Sequence, residues 1–345
     1  MIPQKLKFIF VVLIGMLTAL VGCTRDDPGA GLNNGTPYVV ELPDHFPRLP
    51  VPEDNPLTVE KVELGKKLFF DPMLSVDGTI SCGSCHFQEN GFSDPRRISL
   101  GVENRPGERN AMALVNLAYA KSLFWDGSNP SLETQAMVPI EADFEMAHDL
   151  RTVIDTLRTH PEYPQLFQEA FGKEPDLDGL IKAIASFERT LLSYRAPIDR
   201  FEAGDENALT DKQKFGRAVF FSERGECFHC HNGHNFTTEL FENNGLYLDY
   251  EDKGRWRVTG LESDIGKFKV PTLRNVEKTG PYMHDGSIAT LEEVMDHYAT
   301  QGHPHPNRSP FMTNIELTDF EKEALVAFMR ALTDEAFLTD EAFRP

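Results

Sequence analysis

Two short segments, Cys82-Gly83-Ser84-Cys85-His86 and Cys227-Phe228-His229-Cys230-His231, constrain this chain more than anything else in it. Both follow the pattern C-x-x-C-H, the attachment site of a c-type haem. The spacing has a chemical reason. Two thiols add across the two vinyl groups of the porphyrin, and the adjacent histidine coordinates the iron through an imidazole nitrogen. The bland alternative is one zinc site built from both cysteine pairs. Zinc ribbons keep their pairs within a few tens of residues and need no histidine after each pair. A redox dithiol is a poor match for two copies that each end in histidine. Cys82, Cys85, Cys227 and Cys230 are therefore read as the anchors of two covalent haems. His86 and His231 are read as their proximal ligands.

The fifth cysteine has a different setting. Lys5 and Lys7 precede an almost wholly apolar run from Phe8 to Gly22, too short to span a bilayer comfortably. Residues 1–22 read as a signal peptide. Its end, Leu20-Val21-Gly22-Cys23, resembles a bacterial lipobox, so Cys23 is expected to be the lipidated first residue of the mature chain. The membrane is then met only through that anchor. The expected location is the bacterial periplasm or the outer membrane, as an anchored lipoprotein. Residues 23–53 carry prolines at 28, 37, 43, 47, 50 and 52 and read as a tether and extended wrap.

Composition removes other classes. The chain has 345 residues, 40% of them hydrophobic, with 34 Lys+Arg against 54 Asp+Glu and a net charge of −20. That excludes a multi-span membrane protein and a disordered chain, and there is no basic footprint for nucleic acid.

The lead-in to each motif repeats as well. Gly65-Lys66-Lys67-Leu68-Phe69-Phe70 precedes the first, and Gly216-Arg217-Ala218-Val219-Phe220-Phe221 the second. Thr58 caps a helix before the first motif, and Thr210 with Gln213 forms a capping box before the second. An apolar stripe through Leu180, Ile184, Phe187 and Leu191 predicts a helix from Asp178 to Tyr194. Thr318 and Glu321 open another that runs to Leu332, and Thr290 with Glu293 a third. No strand series stands out. The expected fold is all-α, with two cytochrome-c-like domains that each hold one haem. They are placed at 54–203 and 204–345, with the break at Ala203-Gly204-Asp205-Glu206.

Further motifs occur in order: Arg109-Asn110, Phe124-Trp125-Asp126-Gly127, Leu132-Glu133-x-Gln135, Glu145-Met146, Phe268 to Asn275, and Pro281-Tyr282-Met283-His284-Asp285-Gly286. Together with the two haem motifs, they make residues 54–333 resemble the bacterial di-haem cytochrome c peroxidase family, including its MauG-like branch. The resemblance implies a division of labour. The first haem reacts with hydrogen peroxide, and the second passes electrons from a small donor protein, a c-type cytochrome or a cupredoxin.

It also implies residue roles. Glu145 is the base for peroxide, Gln135 positions it, and Trp125 relays electrons between the haems. Asn110, Thr279 and Pro281 match the family's calcium site, one side-chain oxygen and two carbonyls, a donor set suited to a hard cation. Some relatives block the first haem with a histidine in the loop after the motif. Here Val102 stands there, and no histidine occurs from Phe87 to Ala147. The first haem is therefore expected to be open at rest. For the sixth ligand of the second haem, Tyr298 matches the MauG-like pattern where many peroxidases have methionine, with Met295 and His297 as alternatives. His284 is expected to be structural. Two rival functions stay open: a MauG-like oxidase acting on a protein or organic substrate through a bis-ferryl state, and a di-haem cytochrome that only transfers electrons. The resemblance also admits a homodimer.

Overall fold

The computed structural model describes residues 35–345, so the signal peptide and Cys23 lie outside the described residues. The described part is mostly helical. The principal helices are α1 (Val59–Phe70), α2 (Leu132–Glu141), α3 (Leu150–Thr159), α4 (Tyr163–Phe171), α5 (Leu177–Arg189), α6 (Pro197–Glu202), α7 (Asp211–Phe220), α8 (Trp256–Thr259), α9 (Leu291–Ala299), α10 (Asp319–Arg330) and α11 (Glu335–Thr339). One small antiparallel pair, β1 (Phe241–Glu242) and β2 (Phe268–Lys269), pairs Phe241 with Lys269.

The helix starts follow the sequence signals. The Thr58 side chain accepts from Lys61 N. Capping boxes form at Thr210/Gln213, Thr290/Glu293 and Thr318/Glu321. Each satisfies donors that the first helical turn leaves without partners. One end differs from expectation. α5 stops at Arg189, not Tyr194, because Thr190 closes the helix and the chain turns extended. Beyond it, Asp334 Oδ2 accepts from Tyr194 N at 2.9 Å and Arg195 N at 2.8 Å, bonds that a helix there would forbid.

Two helix crossings organise the core, and they match each other closely. α1 crosses α5, and α7 crosses α10. At each crossing a glycine lets two backbones touch. A methyl on Gly65 would collide with the Ala183 carbonyl, and one on Gly216 with the Ala324 carbonyl. Beside each glycine an aromatic pair meets edge to face. Phe69 and Phe187 lie 5.3 Å apart at 61°, and Phe220 and Phe328 lie 5.2 Å apart at 62°. Such pairs add packing energy beyond the area they bury. The lead-in repeat seen in the sequence is thus a repeat of helix packing. The C-terminal segment then packs back on the first half. Phe337 and Phe343, in the final dozen residues, are buried against Phe92, next to the first motif.

Candidate functional site: two haem motifs and the groups between them

Each motif folds as one tight turn. Cys82–Ser84 and Cys227–His229 form short 3₁₀ turns. His86 N donates to Cys82 O at 3.0 Å, and His231 N to Cys227 O at 2.8 Å. Each ring is then fixed by a backbone carbonyl: His86 Nδ1 lies 2.7 Å from Phe92 O, and His231 Nδ1 lies 3.0 Å from Phe236 O. A carbonyl can only accept, so Nδ1 carries the proton and Nε2 presents a lone pair. Burial keeps both rings neutral, lowering His86 and taking His231 to about 4. A neutral imidazole oriented by a second partner is what iron ligation requires.

The donor set fits covalent haem and disfavours zinc. Among the described residues the two cysteine pairs do not join into one metal-sized cluster. The thiols are not paired as disulfides. Burial pushes Cys227 and Cys230 up to about 12 and raises Cys82 and Cys85 as well. Half-buried, protonated thiols on a turn beside a free Nε2 suit thioether attachment.

The first motif lies beside Glu145. After α2 the chain turns back on itself: Glu145 N donates to Ala142 O at 2.9 Å, and Met146 N to Pro139 O at 3.1 Å. The loop holding Val102 lies directly against this turn. Val102 N donates to Glu145 O at 2.8 Å, and Val102 itself is buried. Gly101 is needed for that approach, since a methyl there would collide with the carbonyls of Phe144 and Glu145. Both thiols of the first motif feel the Glu145 charge. Desolvation raises Glu145 from 4.5 to about 6. On α2, the Gln135 Oε1 is buried without a partner among the described residues, an acceptor left over for something bound. Glu133, two residues earlier, is gripped by Arg189 of α5 at 2.7 and 2.8 Å, which holds α2 in place.

The second motif lines a cavity with Met295, Tyr298 and Met329 on its wall. Tyr298 has its hydroxyl raised above its ordinary value, first by burial and then by the Cys230 thiol. His297 turns away, its Nε2 lying 3.0 Å from Asn244 O, so it does not compete for the cavity. Trp125 lines the same cavity on the side of the first half. Its Nε1 donates to Asn110 O at 2.9 Å. Asn110 Nδ2 donates to the carbonyls of Arg96 and Arg97, leaving Oδ1 free to accept. Asn110, Thr279 and Pro281 are all among the residues that line that cavity. Arg109 braces the segment, bonding Asp126 at 2.7 Å and Asp252 at 2.6 Å. His284 is buried and stacks on Phe268 with centroids 3.7 Å apart, in keeping with a structural role.

Two groups near the first site were not picked out from the sequence. His148 has a buried Nδ1 with no partner among the described residues. Glu188 has a buried Oε2 in the same condition. The signal for Glu188 was present: it continues the Leu180, Ile184 series at a spacing of four, an acid on an apolar stripe. His148 had no such pattern.

Comparison with known proteins agrees with this geometry. Residues 59–207 match the family model for di-haem cytochrome c peroxidase. The methylamine utilization protein MauG of Methylorubrum extorquens is 40% identical over 83% of this chain and 82% of its own. The cytochrome c551 peroxidase of Nitrosomonas europaea is 37% identical over 84% of each chain. Among solved structures, a MauG-like protein associated with microbial copper homeostasis superposes with a TM-score of 0.85, at 33% identity, covering 89% of this chain and 99% of its own. With two matched haem turns and relatives of this closeness along most of its length, the chain belongs to the di-haem cytochrome c peroxidase family, peroxide-dependent oxidoreductases that carry two c-type haems.

Proposed function

We propose that this protein reduces hydrogen peroxide to water at the Cys82–His86 site, with electrons delivered at the Cys227–His231 site by a small redox protein. Each half, 54–203 and 204–345, then acts as a cytochrome-c-like unit. The observation that carries the reading is Glu145: a carboxylate beside the first motif whose desolvation raises it to about 6. A base poised near the working pH is half of what peroxide chemistry needs. The haem, when bound, supplies a redox-active iron at each motif. The chain's residues do the rest. Glu145 takes the proton from one peroxide oxygen and returns it to the other, so that water leaves. The Gln135 amide orients the peroxide, which substitutes for costly freedom of approach. Trp125, on the cavity wall between the halves, is the conduit for electrons. Tyr298 would help hold the second iron, and Asn110, Thr279 and Pro281 would offer one side-chain oxygen and two carbonyls to a calcium ion. Cys23 carries the lipid that keeps the enzyme at a periplasmic membrane face. The donor is a c-type cytochrome or a cupredoxin with a basic docking patch, complementary to a chain of net charge −20.

Electron paramagnetic resonance of the ferric protein tests the asymmetry. One high-spin and one low-spin iron in equal amount are expected. Two low-spin signals would refute an open first haem.

A second reading has its own support. Tyr298, raised by burial and beside the second motif, is the residue expected of MauG-like oxidases, and MauG itself is among the relatives. In that reading the oxidising equivalents act on a protein or organic substrate. Rapid peroxide-dependent oxidation of a reduced cytochrome selects the peroxidase; its absence, with peroxide still consumed stoichiometrically, selects the oxidase.

A further inference from the structure

α5 carries a group that the chemistry above leaves unused. Glu188 is 4% exposed, and its Oε2 has no hydrogen-bond partner among the described residues. A buried, unpartnered carboxyl is expensive to keep and calls for a reason.

The internal repeat says where it points. In the crossing of α1 with α5, Ala183 and Phe187 play the parts that Ala324 and Phe328 play where α7 meets α10. In that register Glu188 matches Met329. Met329 lines the cavity of the second motif. Glu188 is therefore the corresponding wall residue of the first motif, an acid in the place of a thioether. The Cys82 thiol confirms the placement, since after burial the Glu188 charge is the next cause of its elevation.

The groups facing Glu188 do not neutralise it. Arg189, on its own helix, favours the charged form; its Nη2 is engaged with Glu133 at 2.7 and 2.8 Å, while its buried Nη1 has no partner among the described residues. Glu133, on α2, opposes ionisation. Burial dominates and holds the carboxyl up to about 8. At neutral pH the group is mostly the uncharged acid.

We propose that Glu188 couples proton uptake to electron uptake at the first haem, and so sets how that haem's potential varies with pH. The inference rests on reading Cys82–His86 as a haem site, but not on peroxide turnover. When an electron arrives from the reduced donor protein, the Glu188 carboxylate takes one proton from water and becomes the acid. When the electron leaves, the proton returns to water. The electron and proton cancel in charge, which is what a low-dielectric pocket favours. In mildly acidic solution the acid form already predominates and no proton accompanies the electron. The potential should therefore fall with rising pH only in the alkaline range.

Spectroelectrochemical titration of the first haem in the holoprotein, across about pH 5 to 10, tests this. Wild type should show a fall of potential as pH rises through about 8. Glu188→Gln, which keeps the shape of the neutral acid, should abolish that alkaline slope. Glu145→Gln should leave it in place and alter only the acid range, since Glu145 titrates near 6. A reduced-minus-oxidised infrared spectrum should show a protonated-carboxyl band that is lost in Glu188→Gln. An unchanged alkaline slope in Glu188→Gln, or an infrared band that persists in it, overturns the proposal. Because no peroxide is used, loss of peroxidase activity elsewhere would sink the function reading and leave this result standing.

Discussion

At the scale of single residues, Glu145 and Tyr298 decide what the two motifs can do. Glu145 works as a base only when ionised, and desolvation has moved it to about 6. The rate of reaction with peroxide should therefore rise with pH through about 6 and level off above it. Stopped-flow mixing of the ferric enzyme with peroxide across that range measures it. Glu145→Gln should lower the rate by roughly 10²- to 10⁴-fold and remove the pH dependence. An unaltered rate would take the base away from Glu145. Tyr298 makes the second prediction. Replacing a phenolic oxygen by a thioether on the iron raises the reduction potential. Tyr298→Met should raise the potential of the second haem and change its visible spectrum. Were Met295 the ligand, Met295→Leu would shift the spectrum and Tyr298→Met would leave it intact.

At the scale of elements, the helix crossings carry the load. Gly65 and Gly216 each admit a facing backbone carbonyl where any side chain would collide. Gly65→Ala and Gly216→Ala should each destabilise the fold by about 1–3 kcal/mol, as overpacking of a tight contact does. Urea titration of each holoprotein checks it; a change of midpoint near zero would mean that the crossings are looser than they look. These crossings were legible in the sequence as a repeated lead-in, because Gly and the Phe one turn later are local signals. The three capping boxes were legible for the same reason. The end of α5 was not. Leu191 and Leu192 keep the apolar pattern and are buried, yet the helix closes at Thr190, and Asp334, far along the chain, binds the amides of Tyr194 and Arg195 in the extended segment beyond it. The site divides in the same way. Cys82, Cys85, His86, Cys227, Cys230 and His231 announce themselves by spacing. Gln135 and Glu145 stood out only through resemblance, since nothing local separates Glu145 from 53 other acids. The unpaired state of Glu188 depends on where Arg189 and Glu133 meet, which only the fold reveals.

At the scale of the whole molecule, charge and closure matter most. A net charge of −20 favours encounter with a basic donor protein. Added salt should raise the KM for such a donor and leave the reaction with uncharged peroxide unaffected, since screening acts on the charged partner alone. Closure concerns the last residues. Asp334 and Asn275 pin the tail where it leaves α10, Asp334 N donating to Asn275 Oδ1 at 2.7 Å. Phe337 and Phe343 then pack on Phe92, at 5.7 and 6.3 Å between centroids. Gln88 holds the tail from below, donating to the carbonyls of Phe337 at 3.0 Å and Asp340 at 2.9 Å. Phe92 is the residue whose carbonyl orients His86. The end of the chain therefore clamps the loop that aims the first proximal ligand. Phe337→Ala should cost about 3–5 kcal/mol of stability, as the loss of a fully buried aromatic does. It should also broaden the first haem's resonance signal, because the carbonyl partner of His86 is no longer held in one place. A stability loss with an unchanged signal would reduce the tail to packing and would leave the orientation of His86 to its own loop.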